Sequence, residues 1–138
     1  MKLNVVLDDG AYMPEKAYKA DAGFDLRAPS KVIIPAKSSR IVPTGVHIEI
    51  PFGYVGFLKS KSGLNVKNGI LCEGVVDSGY TGGIVAKLYN QSNKEKVFEK
   101  GDKITQIVIL PIPEVEMELV GRLDDTERGN GGFGSSGR

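Results

Sequence analysis

The chain has 138 residues, 41% of them hydrophobic and 25% charged, and a formal net charge of +1. That length fits one domain able to bury a real core, and the near-neutral charge provides no global attraction to nucleic acid or to acidic membranes. A single cysteine, Cys72, and a single histidine, His47, leave no internal disulfide and no metal centre built from His and Cys.

From the N-terminus, Met1 to Leu7 meets Asp8 and Asp9 too early for a secretory signal. No apolar run reaches the length of a membrane span. The lone thiol suits a reducing, cytoplasmic setting, and its place beside Leu71 reads as buried and inert. Val32 to Ile34, Val46 to Ile50, Tyr54 to Leu58, Ile84 to Tyr89 and Ile104 to Leu110 read as strands bounded by Pro35, Pro43, Pro51, Pro111 and Pro113. His47 and Glu49 alternate with Val46, Ile48 and Ile50, so His47 is expected to point outward. Val115, Met117 and Leu119 alternate with Glu114, Glu116 and Glu118 and predict one more strand. Many short strands at close spacing predict an all-β sandwich, barrel or jelly roll. One short helix is predicted from Ser62 to Asn68, with Ser62 as N-cap and Gly69 closing it. Residues 1–123 form the expected folded domain, and the glycine-rich residues 124–138 a mobile arm, because ordering so many glycines is costly.

Five stretches can carry chemistry. Ala22-Gly23-Phe24-Asp25-Leu26 holds a carboxylate opposite two apolar residues, either solvated or supporting a hydrated Mg²⁺. Lys59-Ser60-Lys61-Ser62-Gly63-Leu64 leads into the helix, either as a plain cap or as an anion site on the helix N-terminus. Gly74-Val75-Val76-Asp77-Ser78-Gly79-Tyr80-Thr81-Gly82 is a hairpin with an acid and a phenol at its mouths. That is either an exposed tip or a general base beside a stacking surface. Gln106, amid Ile104, Ile107, Val108 and Ile109, either faces outward or gives its amide to a ligand. In the arm, Phe133 and Arg128 can fold over a ligand, the ring on a base and the guanidinium on phosphate. Arg138 is the arm's other arginine.

Together these stretches resemble the trimeric dUTP pyrophosphatases (dUTPases), whose five ordered motifs all have counterparts here. They are Ala22 to Leu26; Lys61 to Leu64, preceded by Pro43-Thr44-Gly45-Val46; Gly74 to Gly82; Gly101-Asp102-Lys103-Ile104-Thr105-Gln106; and Asp125 to Gly137. The resemblance covers nearly the whole chain. It implies a distorted β jelly roll assembled as a homotrimer with active sites between subunits. It implies hydrolysis of dUTP to dUMP and pyrophosphate, which keeps uracil out of DNA and supplies dUMP for thymidylate synthesis. By position, Asp77 is then the general base that activates water for attack on the α-phosphorus. Mg²⁺ is held mainly by the phosphates, with Asp25 supporting through water. Lys61, Ser62, Gly63 and Gln106 contact phosphates. Gly74, Val75 and Val76 read uracil through the backbone. Tyr80 packs on the deoxyribose and excludes a 2′-hydroxyl. Arg128, Phe133 and Gly134 close over the nucleotide from a neighbouring subunit. Two positions depart from the usual pattern. Lys61 stands where the second motif begins with Arg, replacing a planar fork with a point charge, and Leu71 stands where some members carry Asn.

Three rivals use the same strands. A dCTP deaminase shares the fold and needs a glutamate for amine chemistry; Glu73 is the acid nearest the hairpin on its strand. A non-catalytic nucleotide sensor would bind a regulatory protein partner, and an active enzyme is compatible with such a partner too. A generic β-sandwich interaction domain leaves the helix start, the Asp77 hairpin and the arm unexplained.

Overall fold

A computed structural model describes residues 1–137. Ten strands and one helix follow in order: β1 Val5–Leu7, β2 Gly23–Arg27, β3 Val32–Ile34, β4 Ser39–Pro43, β5 Val46–Ile48, β6 Tyr54–Lys59, α1 Ser62–Asn68, β7 Ile70–Val76, β8 Val85–Asn90, β9 Lys96–Phe98 and β10 Lys103–Pro111. A six-stranded sheet runs β2-β10-β6-β7-β8-β4, and two short pairs, β1-β5 and β3-β9, lie outside it. Every pairing is antiparallel. This is the predicted all-β architecture with one short helix. β8 shows its cause directly: Ala86, Leu88 and Asn90 are buried, while Val85, Lys87 and Tyr89 face out, because side chains alternate along a strand. The core gathers Leu26, Ile70, Leu88 and Ile107 from the large sheet with Ile34 and Phe98 from the β3-β9 pair.

Two buried polar residues fasten the turns. Thr44 Oγ1 donates to the Ile84 carbonyl at 2.6 Å and accepts from the Val46 N–H at 3.2 Å. Asn90 Nδ2 donates to the carbonyls of Ile34 at 3.1 Å and Lys94 at 2.8 Å. Each bond satisfies a group that burial would otherwise leave unpaired.

Several expectations need correction. The N-cap is Lys61, at φ −78° and ψ 131°, with no side-chain cap; Ser62 is already helical. Gly69 does close the helix in the left-handed region, at φ 67°. Val115 to Leu119 forms no strand: the segment pairs with no strand among the described residues, and Met117 and Leu119 are 94% and 99% exposed. Asp25 is not solvated, being only 5% exposed, and Phe24 lies at the surface while Leu26 is buried. A bulge between Lys103 and Thr105 interrupts the alternation opposite Leu26, so Ile104 and Thr105 are both buried. His47 does face away from the core as expected, and both its ring nitrogens are bonded. Among the described residues, no helix is long and apolar enough to cross a membrane.

Candidate active site

At one end of the large sheet, β2, β10 and the end of β6 that leads into α1 bring the predicted Asp25, Lys61 and Gln106 together. Gln106 pairs across the ladder with both Asp25 and Lys59. Its amide Nε2 donates to the Ser60 carbonyl at 3.0 Å. Gly23 makes this placement feasible, since a Cβ there would collide with the Gln106 amide. Lys61 donates to Asp25 Oδ1, and Lys103 Nζ lies 3.0 Å from Asp25 Oδ2. Burial by itself would raise the Asp25 carboxyl, but hydrogen bonds and charge from Lys61 and Lys103 outweigh it and hold the group below the usual carboxylate value. The carboxylate is therefore ionised and gathers two ammonium groups at the mouth of α1.

That mouth suits an anion. No side chain caps the helix, so the Ser62 and Gly63 N–H groups keep no side-chain acceptor among the described residues. Gly63 has neither a positive φ nor any neighbour within 4 Å of an added Cβ, so nothing inside the chain requires glycine there.

The hairpin residues sit elsewhere. β7 delivers Asp77 immediately after Val76, which pairs with Gly56 midway along β6. Gly56 in turn pairs with Ile109, three positions from Gln106 on β10, roughly 10 Å at ordinary strand rise, and β7 lies two strands across the sheet from β10. Asp77 is exposed, and its carboxylate accepts no hydrogen bond among the described residues. It borders a groove of about 350 Å³ with Phe52, Tyr54, Ser78, Ile112 and Pro113. Gly79 turns the chain at φ +86°, and the Tyr80 N–H returns to the Asp77 carbonyl at 3.2 Å. The Tyr80 hydroxyl donates to the Gly83 carbonyl at 2.9 Å, laying the ring over Gly82. Val75 is exposed, Val76 is buried, and a Cβ on Gly74 would press against Leu58 at 3.1 Å.

No hydrogen bond joins the described residues of the arm to either group. Arg128 Nε donates to the Gly131 carbonyl at 2.5 Å, inside the arm itself. Phe133 is fully exposed with a left-handed φ of 50°, next to Gly134 at φ 89°. Arg138 lies outside the described residues. One chain thus splits the predicted site residues into three separate groups.

Among the described residues, no three His, Cys, Asp or Glu side chains cluster into a metal cage. Both oxygens of Asp25 are taken by lysines, so the donor set does not fit direct ligation, while one ionised carboxylate fits support through water. Glu73, the acid a deaminase would need, pairs with Lys59 at 2.5 Å on an exposed face. Burial pushes the Cys72 thiol up, which keeps it protonated and inert. Lys103 is the site residue that sequence reasoning missed. It stood in the fourth motif, but its bond to Asp25 depends on strand pairing.

Comparison with known proteins identifies the family. A family model described as dUTPase matches residues 9–137. The deoxyuridine 5'-triphosphate nucleotidohydrolase of Tropheryma whipplei is 39% identical over 137 residues, covering 96% of this chain and 94% of its own. A mutant dUTPase of Staphylococcus bacteriophage 80alpha, solved with dUpNHpp, superposes with a TM-score of 0.93 at 30% identity, covering 99% of both chains. A mutant dUTPase from phage phi11 of S. aureus, solved for its structural Mg(II) ion, superposes with a TM-score of 0.82 at 28% identity, covering 88% of this chain and 98% of its own. With the match running from the segment before β2 through the glycine-rich arm, over a jelly roll that carries each motif in order, the chain belongs to the dUTPase family.

Proposed function

We propose that this chain hydrolyses dUTP to dUMP and pyrophosphate at sites completed by neighbouring copies of itself. The observation that carries the shared site is the separation of Asp77 and Tyr80 from Asp25, Lys61 and Gln106 within one chain. A homotrimer that sets the hairpin of one copy against the lysine cluster of the next, with the arm of another on top, unites the three groups.

In that assembly Asp77 takes a proton from water, whose oxygen attacks the α-phosphorus as the bond to the β-phosphate bridge breaks. Its exposed carboxylate, unengaged among the described residues, suits a base that must meet water. Positioned proton transfer is worth about 10²–10⁴-fold. Lys61 and Lys103 pass from Asp25 to the phosphates, and the second N–H of the Gln106 amide reaches another phosphate oxygen. The Ser62 and Gly63 N–H groups receive a further phosphate oxygen. Gly74 to Val76 read uracil through backbone groups, and the Tyr80 ring covers the sugar face where a 2′-hydroxyl would stand. Arg128, Phe133 and Gly134 close the site. Mg²⁺ bound with the triphosphate neutralises charge and aligns the phosphates. Asp25 supports it through water.

The test is pyrophosphate release with Mg²⁺ from dUTP, dTTP, dCTP and UTP, with Asp77→Asn as the blank. Release from dUTP alone is expected. Ammonia from dCTP would move the assignment to a deaminase, and tight dUTP binding without release to a sensor. Light scattering should report a trimer. Co-refolding Asp77→Asn with a chain lacking residues 129–138 should restore part of the activity that each lacks. No restoration would sink the shared site.

A further inference from the structure

Thr81 follows Tyr80 in the hairpin loop, and a side chain from a different sheet holds its carbonyl. His47, in the middle of β5, lies with Nδ1 2.8 Å from the Thr81 oxygen and Nε2 3.0 Å from Asp8 Oδ1. Both partners only accept. A neutral imidazole has one N–H, so it satisfies one partner and turns a lone pair toward the other, whereas the imidazolium satisfies both. The ring also rests against Gly83, where an added Cβ would come 3.7 Å from Cε1. Beyond His47, the loop is held by the Tyr80 hydroxyl on the Gly83 carbonyl and by the Ile84 N–H on the Val46 carbonyl at 2.8 Å.

The surroundings favour the cation. Asp8 faces the ring from the end of β1, and the Thr81 and Gly83 backbone faces it from the loop. Across the β1 pairing stands Val6. Further along β5, Glu49 accepts from Asn4 Nδ2 at 2.7 Å and borders the same groove as His47. Lys2 is the cation lining the adjoining groove, with Asn4, Glu49 and Thr81. The Thr81 carbonyl is the largest influence on the imidazole; desolvation opposes it, Asp8 reinforces it, and the net effect lifts the pKa above its ordinary 6.5.

We propose that His47 is a positioning residue for the reaction: as an imidazolium it clamps the Tyr80–Thr81 loop to Asp8, and it slackens the loop when it loses its proton. The proposal rests on the nucleotide binding at the Asp77–Tyr80 hairpin. His47 touches no reacting atom; it acts by fixing where the Tyr80 ring stands.

The untagged chain has one histidine, so one imidazole signal reports its titration by NMR. The midpoint should lie above 6.5 and fall in Asp8→Asn, an exposed change that leaves the core intact. KM for dUTP in the wild type should rise about two- to five-fold as pH climbs through that midpoint, the range expected of an exposed charged pair. His47→Gln should hold the raised KM throughout, with kcat following the wild type. Ionisation of dUTP itself is common to both proteins and cancels in their ratio. A midpoint at or below 6.5, or a KM ratio independent of pH, would overturn the clamp. If Asp77→Asn and Tyr80→Ala leave turnover untouched, the hairpin assignment fails and the clamp falls with it. A failure confined to His47→Gln and Asp8→Asn overturns the clamp alone.

Discussion

Lys61 and Asp25 form a direct ion pair across the mouth of α1, with Lys103 on the carboxylate's other oxygen at 3.0 Å. The lysine that replaces the family's arginine is thus already oriented by a buried acid. A point charge turned toward the phosphate site can do the work of charge neutralisation, though not of bidentate recognition.

Removing Asp25 leaves two ammonium groups facing each other without their counter-charge. Asp25→Asn should therefore destabilise the fold by about 1–3 kcal/mol at pH 7, read by urea unfolding. The pH dependence has a fixed sign. The folded carboxyl titrates below its unfolded value of 3.8, so its contribution is complete above that value and is lost as pH falls through the lowered folded one. Wild type and variant should converge only under strongly acidic conditions. Convergence near neutrality would mean that the pairs do not stabilise the fold.

Asp77 is exposed and bonded to no other side chain among the described residues, so Asp77→Asn should leave stability within about 0.5 kcal/mol of wild type. Turnover of dUTP should drop by about 10²–10⁴-fold while nucleotide binding persists. Calorimetric binding beside a pyrophosphate assay separates the two. Full turnover in this variant would remove Asp77 as the base.

Tyr80 keeps its place over Gly82 only because position 82 has no side chain. A Cβ there would sit 2.6 Å from the Tyr80 hydroxyl oxygen. Gly82→Ala should displace the ring and cut the preference for dUTP over UTP in kcat/KM by about ten-fold. An unchanged preference would take the sugar filter away from Tyr80.

Phe133 is fully exposed among the described residues. Deleting residues 129–138 should leave the thermal midpoint unchanged and lower kcat/KM sharply, and Phe133→Ala should reproduce part of that loss. Equal activity in the truncated chain would show that the arm does not close the site.

The sequence by itself determined the all-β class, the position of the helix and its Gly69 stop, the hairpin chemistry of Asp77-Ser78-Gly79, and the family, because those depend on local periodicity, on turn stereochemistry and on motif order. The apolar alternation from Val115 to Leu119 is present too, but an alternating pattern becomes a strand only where a sheet edge receives it, and the segment pairs with none among the described residues. Tertiary structure alone decided the remainder. Strand pairing buried Asp25 between Lys61 and Lys103, the β6 ladder carried Asp77 away from Gln106, and the fold brought His47 from β5 onto Thr81. The contacts of Asp25 with Lys61 and Lys103 and of His47 with Thr81 join residues 34 to 78 positions apart, a distance over which neither propensity nor spacing carries information.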